Sequence, residues 1–97
     1  MQIKIPHKFS KFDAKQRVIR ALHEARPNLG DQATIDKEEW QGDTLHFGFT
    51  AQKQTITGTF EVREGEFELN AKLPLMLRMF EGKIKKTIEE QAQGMLK

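Results

Sequence analysis

The chain has 97 residues, 31% of them charged and 37% hydrophobic, a net charge of only +2, and neither cysteine nor tyrosine. That length suits one domain, residues 1–97, around a single core, and the lack of cysteine excludes disulfides, thiolate metal sites and a cysteine nucleophile. No apolar run approaches the roughly 20 residues of a membrane-spanning helix and no charged-then-apolar leader opens the chain, so the expectation is a soluble, cytoplasmic protein.

Ile3 and Ile5 alternate with Gln2 and Lys4, which predicts a short strand over residues 2–7, ended by Pro6. Ser10 stands three residues before Asp13, a weaker form of the capping box with the acidic group well placed for the helix dipole. Ala14, Val18, Leu22 and Ala25, with Ala21, then form one stripe of an amphipathic helix. Pro27 is expected to stop it, leaving Asn28 to Asp31 as a connecting loop.

In the next stretch Ala33 and Ile35 share one parity and Trp40 has the other. Uniform pairing would turn Asp36 and Glu38 into the core, and unpaired buried carboxylates are costly. A β-bulge between Asp36 and Glu39 is therefore predicted, so that Ile35 and Trp40 both point inward.

Three alternating segments follow. Their inward residues are Leu45, Phe47, Phe49 and Ala51, then Ile56, Gly58, Phe60 and Val62, then Phe67, Leu69, Ala71 and Leu73. Tight turns at Gly42-Asp43, Gln52-Lys53 and Glu64-Gly65 would pair Trp40 with Leu45, Phe49 with Ile56, Leu45 with Phe60, Val62 with Phe67 and Phe60 with Leu69. Phe60 is then the expected centre of the core, and Phe47, Phe49, Phe67, Phe80 and Trp40 are expected to fill the rest. Gly58 on the buried face predicts that a helix or a large ring comes close, with Phe47 lying across it.

Pro74 breaks the last strand and suits the first turn of a helix, in which Leu77, Phe80, Ile84, Ile88, Ala92 and Met95 recur at helical spacing. Gly82 is expected to let this helix cross the sheet closely. The architecture is α+β, in the order β-α-β-β-β-β-α: a five-stranded antiparallel sheet with both helices on its one apolar face.

Charge is unevenly placed, at +5 over residues 1–30, −5 over 31–72 and +2 over 73–97. A basic first helix could meet phosphate or an anionic surface, or be a solvated face beside an acidic sheet. Nucleic-acid binders concentrate more charge and interleave aromatics with it, so no nucleic-acid partner is expected.

Little in the chain points to catalysis. The only serine, Ser10, is taken by a cap, and nothing suggests an oxyanion hole or a nucleophile elbow. His7, His23 and His46 lack the paired spacing of a zinc site and read as surface residues; no metal or cofactor is expected. Glu61, Glu66 and Glu68 share the polar face of the sheet and stay ionised. A non-enzymatic protein is the expectation.

The run Leu73-Pro74-Leu75-Met76-Leu77-Arg78-Met79-Phe80 holds more apolar residues than one helix stripe needs. Leu75, Met76 and Met79 either pack against the first helix or the sheet edge, or meet a partner, a second copy or an amphiphilic surface. Lys83, Lys85 and Lys86 would flank such a contact, making Leu75, Met76, Met79, Lys83 and Lys86 the candidate contact surface.

Taken together, Trp40-Gln41-Gly42-Asp43-Thr44-Leu45-His46-Phe47, Ile56-Thr57-Gly58-Thr59-Phe60-Glu61-Val62, Leu69-Asn70-Ala71-Lys72-Leu73-Pro74 and Phe80-Glu81-Gly82-Lys83-Ile84 resemble the small bacterial polyhydroxyalkanoic acid system family. The opening Ile3 to His7 and the Ala14 to Arg26 helix also fit, so the likeness spans nearly the whole chain. It implies association with polyhydroxyalkanoate storage granules or their metabolism, with the granule surface or a granule protein as partner, and it offers no catalytic residues. The topology is also similar to a small helix-grip fold, in which a curved sheet wraps a C-terminal helix, often around an apolar ligand. A small acyl or hydroxyacyl binder with a pocket between sheet and last helix is the alternative function, set against a core that the aromatic rings fill completely.

Overall fold

The computed structural model describes residues 1–30 and 32–95, and the side chain of Met95 also lies outside what it describes. Its strands are β1 (Gln2–Pro6), β2 (Ala33–Gln41), β3 (Thr44–Ala51), β4 (Gln54–Val62) and β5 (Glu66–Lys72). The helices are α1 (Lys11–Leu29), α2 (Leu75–Arg78) and α3 (Glu81–Met95). All five strands join one antiparallel sheet in the order β1-β5-β4-β3-β2, so the first strand pairs with the last.

The register follows the hydrophobic alternation. Leu45 lies opposite Phe60 and Phe49 opposite Ile56, while Phe60 pairs with Leu69 and Val62 with Phe67. A one-residue slip would turn every one of these side chains to water, which is why alternation specifies register so strongly. The β2–β3 ladder shifts between Ile35 and Lys37, leaving Asp36 as the extra residue of a bulge. Ile35 then pairs with Phe49 and Trp40 with Leu45, and the Asp36 carboxylate accepts a hydrogen bond from the Thr50 hydroxyl at 2.6 Å; Glu38, against expectation, stays on the Phe47 side, where Arg26 of α1 pairs its charge. Gln52 and Lys53 both take positive φ, the tight-turn conformation that matches the twist of the flanking strands.

Ser10 caps α1, its hydroxyl accepting from the Asp13 amide at 3.1 Å. The helix does not stop at Pro27: it runs on to Leu29 and ends at Gly30. A proline denies one backbone bond to the carbonyl four residues earlier. Here His23 and residues 24–28 are exposed, so water can satisfy that carbonyl and the helix survives. Of the expected Asn28–Asp31 loop, Asn28 and Leu29 are helical, and Asp31 lies outside the described residues.

The C-terminal helix is not continuous either. Pro74 is extended (ψ 154°) and precedes α2 rather than opening it; α2 is a single turn, broken at Met79 and Phe80 before α3 begins. The Phe80 amide bonds back to the Leu77 carbonyl at 3.0 Å, and the Ile84 amide starts α3 on the Phe80 carbonyl at 2.9 Å.

The core is displaced toward one side of the sheet. Ile3, Ile5, Val62, Phe67 and Leu69 from β1, β4 and β5 pack with Ala14 and Val18 of α1, and Ile88 and Ala92 of α3 close over them. Phe60 is only half-buried beside this cluster, its ring 5.3 Å from Phe67, so it is not the centre that the alternation suggests. Phe47, Phe49 and Trp40 are also half-buried, and Phe80 is exposed. The expected ring-filled interior is corrected accordingly: both helices favour the β1–β5–β4 side, and the aromatics on β3 get only partial cover.

Two glycines have other reasons than those expected. A Cβ on Gly58 would come within 2.1 Å of the Asn70 carbonyl oxygen and 2.8 Å of the Ala71 Cα. The close neighbour is thus the β5 backbone, not a helix or the Phe47 ring. A Cβ on Gly82 would meet no atom within 4 Å, so no close crossing requires that glycine.

Candidate functional site

The sequence from Leu73 to Phe80 leaves the sheet and exposes its apolar side chains for a local reason. Leu73 is buried at the end of β5, and the extended Pro74 then turns the chain outward. A one-turn helix cannot set all its apolar residues on one buried stripe. Leu77 is half-buried, while Leu75, Met76, Met79 and Phe80 are 77, 69, 85 and 55% exposed. The Met76 sulfur accepts a weak bond from the Gln54 side-chain amide at 3.8 Å, which sets α2 beside the β3–β4 turn.

The candidate residues therefore gather in part. Leu75, Met76 and Met79 share one turn and its cap, and Lys83 and Lys86 follow in the first two turns of α3. Ile84, Ile88 and Ala92 are the half-buried positions among the described side chains of α3, so Lys83 and Lys86, 100° to 200° away around the helix, point outward. Neither they nor Lys85 nor Arg78 form an ion pair among the described residues. An exposed apolar turn beside four cations is the most distinctive surface of the molecule. Phe80 belongs to it as well; the sequence stripe put Phe80 inward because it assumed one unbroken helix.

Other groups that might carry chemistry are engaged. His7 is buried rather than on the surface: its Nε2–H donates to the Arg63 carbonyl at 2.9 Å, and its Nδ1 accepts from the Phe9 amide at 3.1 Å. Its ring also packs against Phe67 with centroids 4.5 Å apart. An imidazole with both nitrogens held by backbone joins β1 to the β4–β5 turn and has no lone pair left for a substrate.

Glu68 lies on the polar face of the sheet, as expected, but is nearly covered by its neighbours. One carboxylate oxygen accepts from Gln2 at 2.8 Å and Asn70 at 3.2 Å, and the other meets Arg63 at 2.8 Å. The bonds from Gln2 and Asn70, with the Arg63 and Lys4 charges, hold its carboxyl below the ordinary range. Arg63 also bonds Glu61 at 2.8 Å, and this cluster reads as a strut across β1, β5 and β4.

No group of three or more metal-binding side chains occurs among the described residues, and no helix there is long and apolar enough to cross a membrane. Among the described residues, two open grooves indent the surface. One runs between the end of α1 and β2, past Leu29, Ala33 and Ile35; the other lies over Gly58 on the polar face of the sheet. Neither lies between the sheet and α3.

A family model described as polyhydroxyalkanoic acid system protein matches residues 1–96. No curated protein and no solved structure matches the chain.

Proposed function

The chain belongs to the polyhydroxyalkanoic acid system family, and from that premise we propose that it is a non-enzymatic accessory protein that seats α2 on the surface of polyhydroxyalkanoate granules. The observation that carries this reading is the exposure of Leu75, Met76, Met79 and Phe80 in one short segment. Contiguous apolar surface of that kind marks a contact, and burying each such side chain contributes about 1.5–3 kcal/mol. Methionines adapt to an irregular partner, as the surface of an amorphous particle would be. Lys83, Lys85 and Lys86 beside the turn add attraction to any anionic groups there.

The non-enzymatic part of the reading is supported by the engaged state of Ser10, His7 and Glu68. The proposal locates the protein in the cytoplasm, with the polymer it serves.

Co-sedimentation with purified granules tests it. Wild type is expected to pellet with them, and a folded Met76→Glu/Met79→Glu double variant to stay in solution. Equal pelleting of the two overturns the proposal. So does a stable dimer that the same double substitution dissociates, because α2 would then be occupied by a second copy.

A further inference from the structure

We infer that α1 carries a second anchor, so that the whole helical layer lies flat on an anionic lipid surface with the polar face of the sheet turned outward. This rests on the reading of α2 above and extends it to a second helix.

The first observation is Phe12. The buried side of α1 belongs to Ala14 and Val18, and residues advance about 100° per position around a helix. Phe12 and Ile19, seven positions apart, therefore share the opposite side, at 71 and 38% exposure. A phenylalanine on the solvent side of a helix contributes nothing to the core and costs solubility, which a contact would explain.

Charge segregation is the second observation, and it selects the partner. The three helices carry nine basic against five acidic side chains, whereas the five strands carry three basic against six acidic. The layer that exposes apolar side chains is thus the positive one, and the opposite layer is negative. An anionic surface attracts the first and repels the second, which sets the orientation before any contact forms. Lys8, four residues before Phe12, and Arg20, next to Ile19, like Lys83, Lys85 and Lys86 near α2, form no ion pair among the described residues and can turn to headgroups.

Position completes the argument. Lys11 and Lys15 fix the start of α1 to Asp43, at 3.5 and 3.8 Å, at the β2–β3 turn. Met76 fixes α2 to Gln54 at the β3–β4 turn, the other end of β3. The two anchors therefore lie a strand length apart, and engaging both requires the layer to lie flat. Separated single side chains ringed by long cations fit a fluid headgroup layer, which rearranges around each, and not the fixed pockets of a folded partner.

The chain has no cysteine, so single-cysteine variants can be labelled at one place each. Phe12→Cys, Met79→Cys and, on the polar sheet face, Thr57→Cys would carry an environment-sensitive fluorophore. Each is mixed with phosphatidylcholine vesicles made with and without phosphatidylglycerol. The expected result is an apolar shift at positions 12 and 79, none at 57, and a strong dependence on phosphatidylglycerol that added salt suppresses. Phe12→Asp, at a position too exposed to affect folding, is expected to weaken binding at least about tenfold, equivalent to about 1.4 kcal/mol. A shift at 79 without one at 12 overturns the flat arrangement and leaves the granule reading standing. Equal shifts with neutral vesicles overturn the anionic-lipid assignment. No shift at either position overturns the inference, while granule co-sedimentation decides the reading of α2 separately.

Discussion

The Met76 sulfur rests 3.8 Å from the Gln54 amide, and this contact ties an otherwise exposed turn to the β3–β4 hairpin. It holds α2 in place without covering it, since Met76 remains 69% exposed. Substitution there should consequently separate binding from folding. Met76→Glu and Met79→Glu are expected to change unfolding free energy by no more than about 0.5 kcal/mol each, as exposed positions usually do. Ile3→Ala, in the fully buried core, is expected to cost about 2–5 kcal/mol. Urea titrations of the three variants check this, and a loss at Met79→Glu as large as that at Ile3→Ala would show α2 to be part of the core.

Gly58 gives a sharper test of the β4–β5 packing. A methyl group added there meets the Asn70 carbonyl oxygen and the Ala71 Cα, both backbone atoms that cannot rotate away. Gly58→Ala must therefore spread two paired strands, and overpacking of this kind typically costs 1–3 kcal/mol, occasionally more. The denaturation midpoint of Gly58→Ala should fall clearly below that of wild type. An unchanged midpoint would mean that the strands lie further apart than described.

The sheet was legible in the sequence and the helices only in outline, for a physical reason. In a strand, the alternation of Leu45, Phe47 and Phe49 with polar neighbours admits one register, and the clash of parity between Ile35 and Trp40 requires a bulge, which falls at Asp36; Glu38 stays on the Phe47 side, where Arg26 pairs it. A helix stripe specifies only a face. Leu77, Phe80 and Ile84 recur at the right spacing whether or not the helix is broken between them, and Pro27 tells where one backbone bond is lost but not whether water replaces it. The apolar excess at Leu75, Met76 and Met79 was visible as composition; only the break after α2 shows that it stays exposed. Phe12 went unread, although its place on the far side from Ala14 and Val18 is the signal that would have found it. His7 was not legible, because its burial depends on a turn more than fifty residues away.

Acid should weaken the strut at Glu68. Hydrogen bonds from Gln2 and Asn70, together with the Arg63 charge, favour its ionised form and lower its pKa in the folded state. Stability from this group is therefore complete above the ordinary glutamate value of about 4.3 and is lost as pH falls through the lowered folded value. Wild type and Glu68→Gln are to be compared by urea unfolding from neutral pH into acid. The stability gap between them is expected to be constant at neutral pH and to narrow below about pH 4.3. A gap that stays constant into strong acid would mean that Glu68 is not held ionised by these neighbours.

Gly82→Ala is expected to have the opposite sign to Gly58→Ala. Gly82 lies in the first turn of α3 with a negative φ, and an added methyl group meets nothing within 4 Å. Alanine there restricts the unfolded chain without straining the folded one, which stabilises by about 0.4–1 kcal/mol. The gain should be local. On the sheet, α3 chiefly meets the edge strand β1, with half-buried Ile88 and Ala92 against the core cluster and Glu81 held to the Met1 ammonium at 3.3 Å. Elements with so few buried contacts open well below the global unfolding free energy. Amide hydrogen exchange should therefore find α3 less protected than β4 and β5, and Gly82→Ala should slow exchange in α3 without changing it in the sheet. Uniform slowing throughout the molecule would show that α3 unfolds only together with the core.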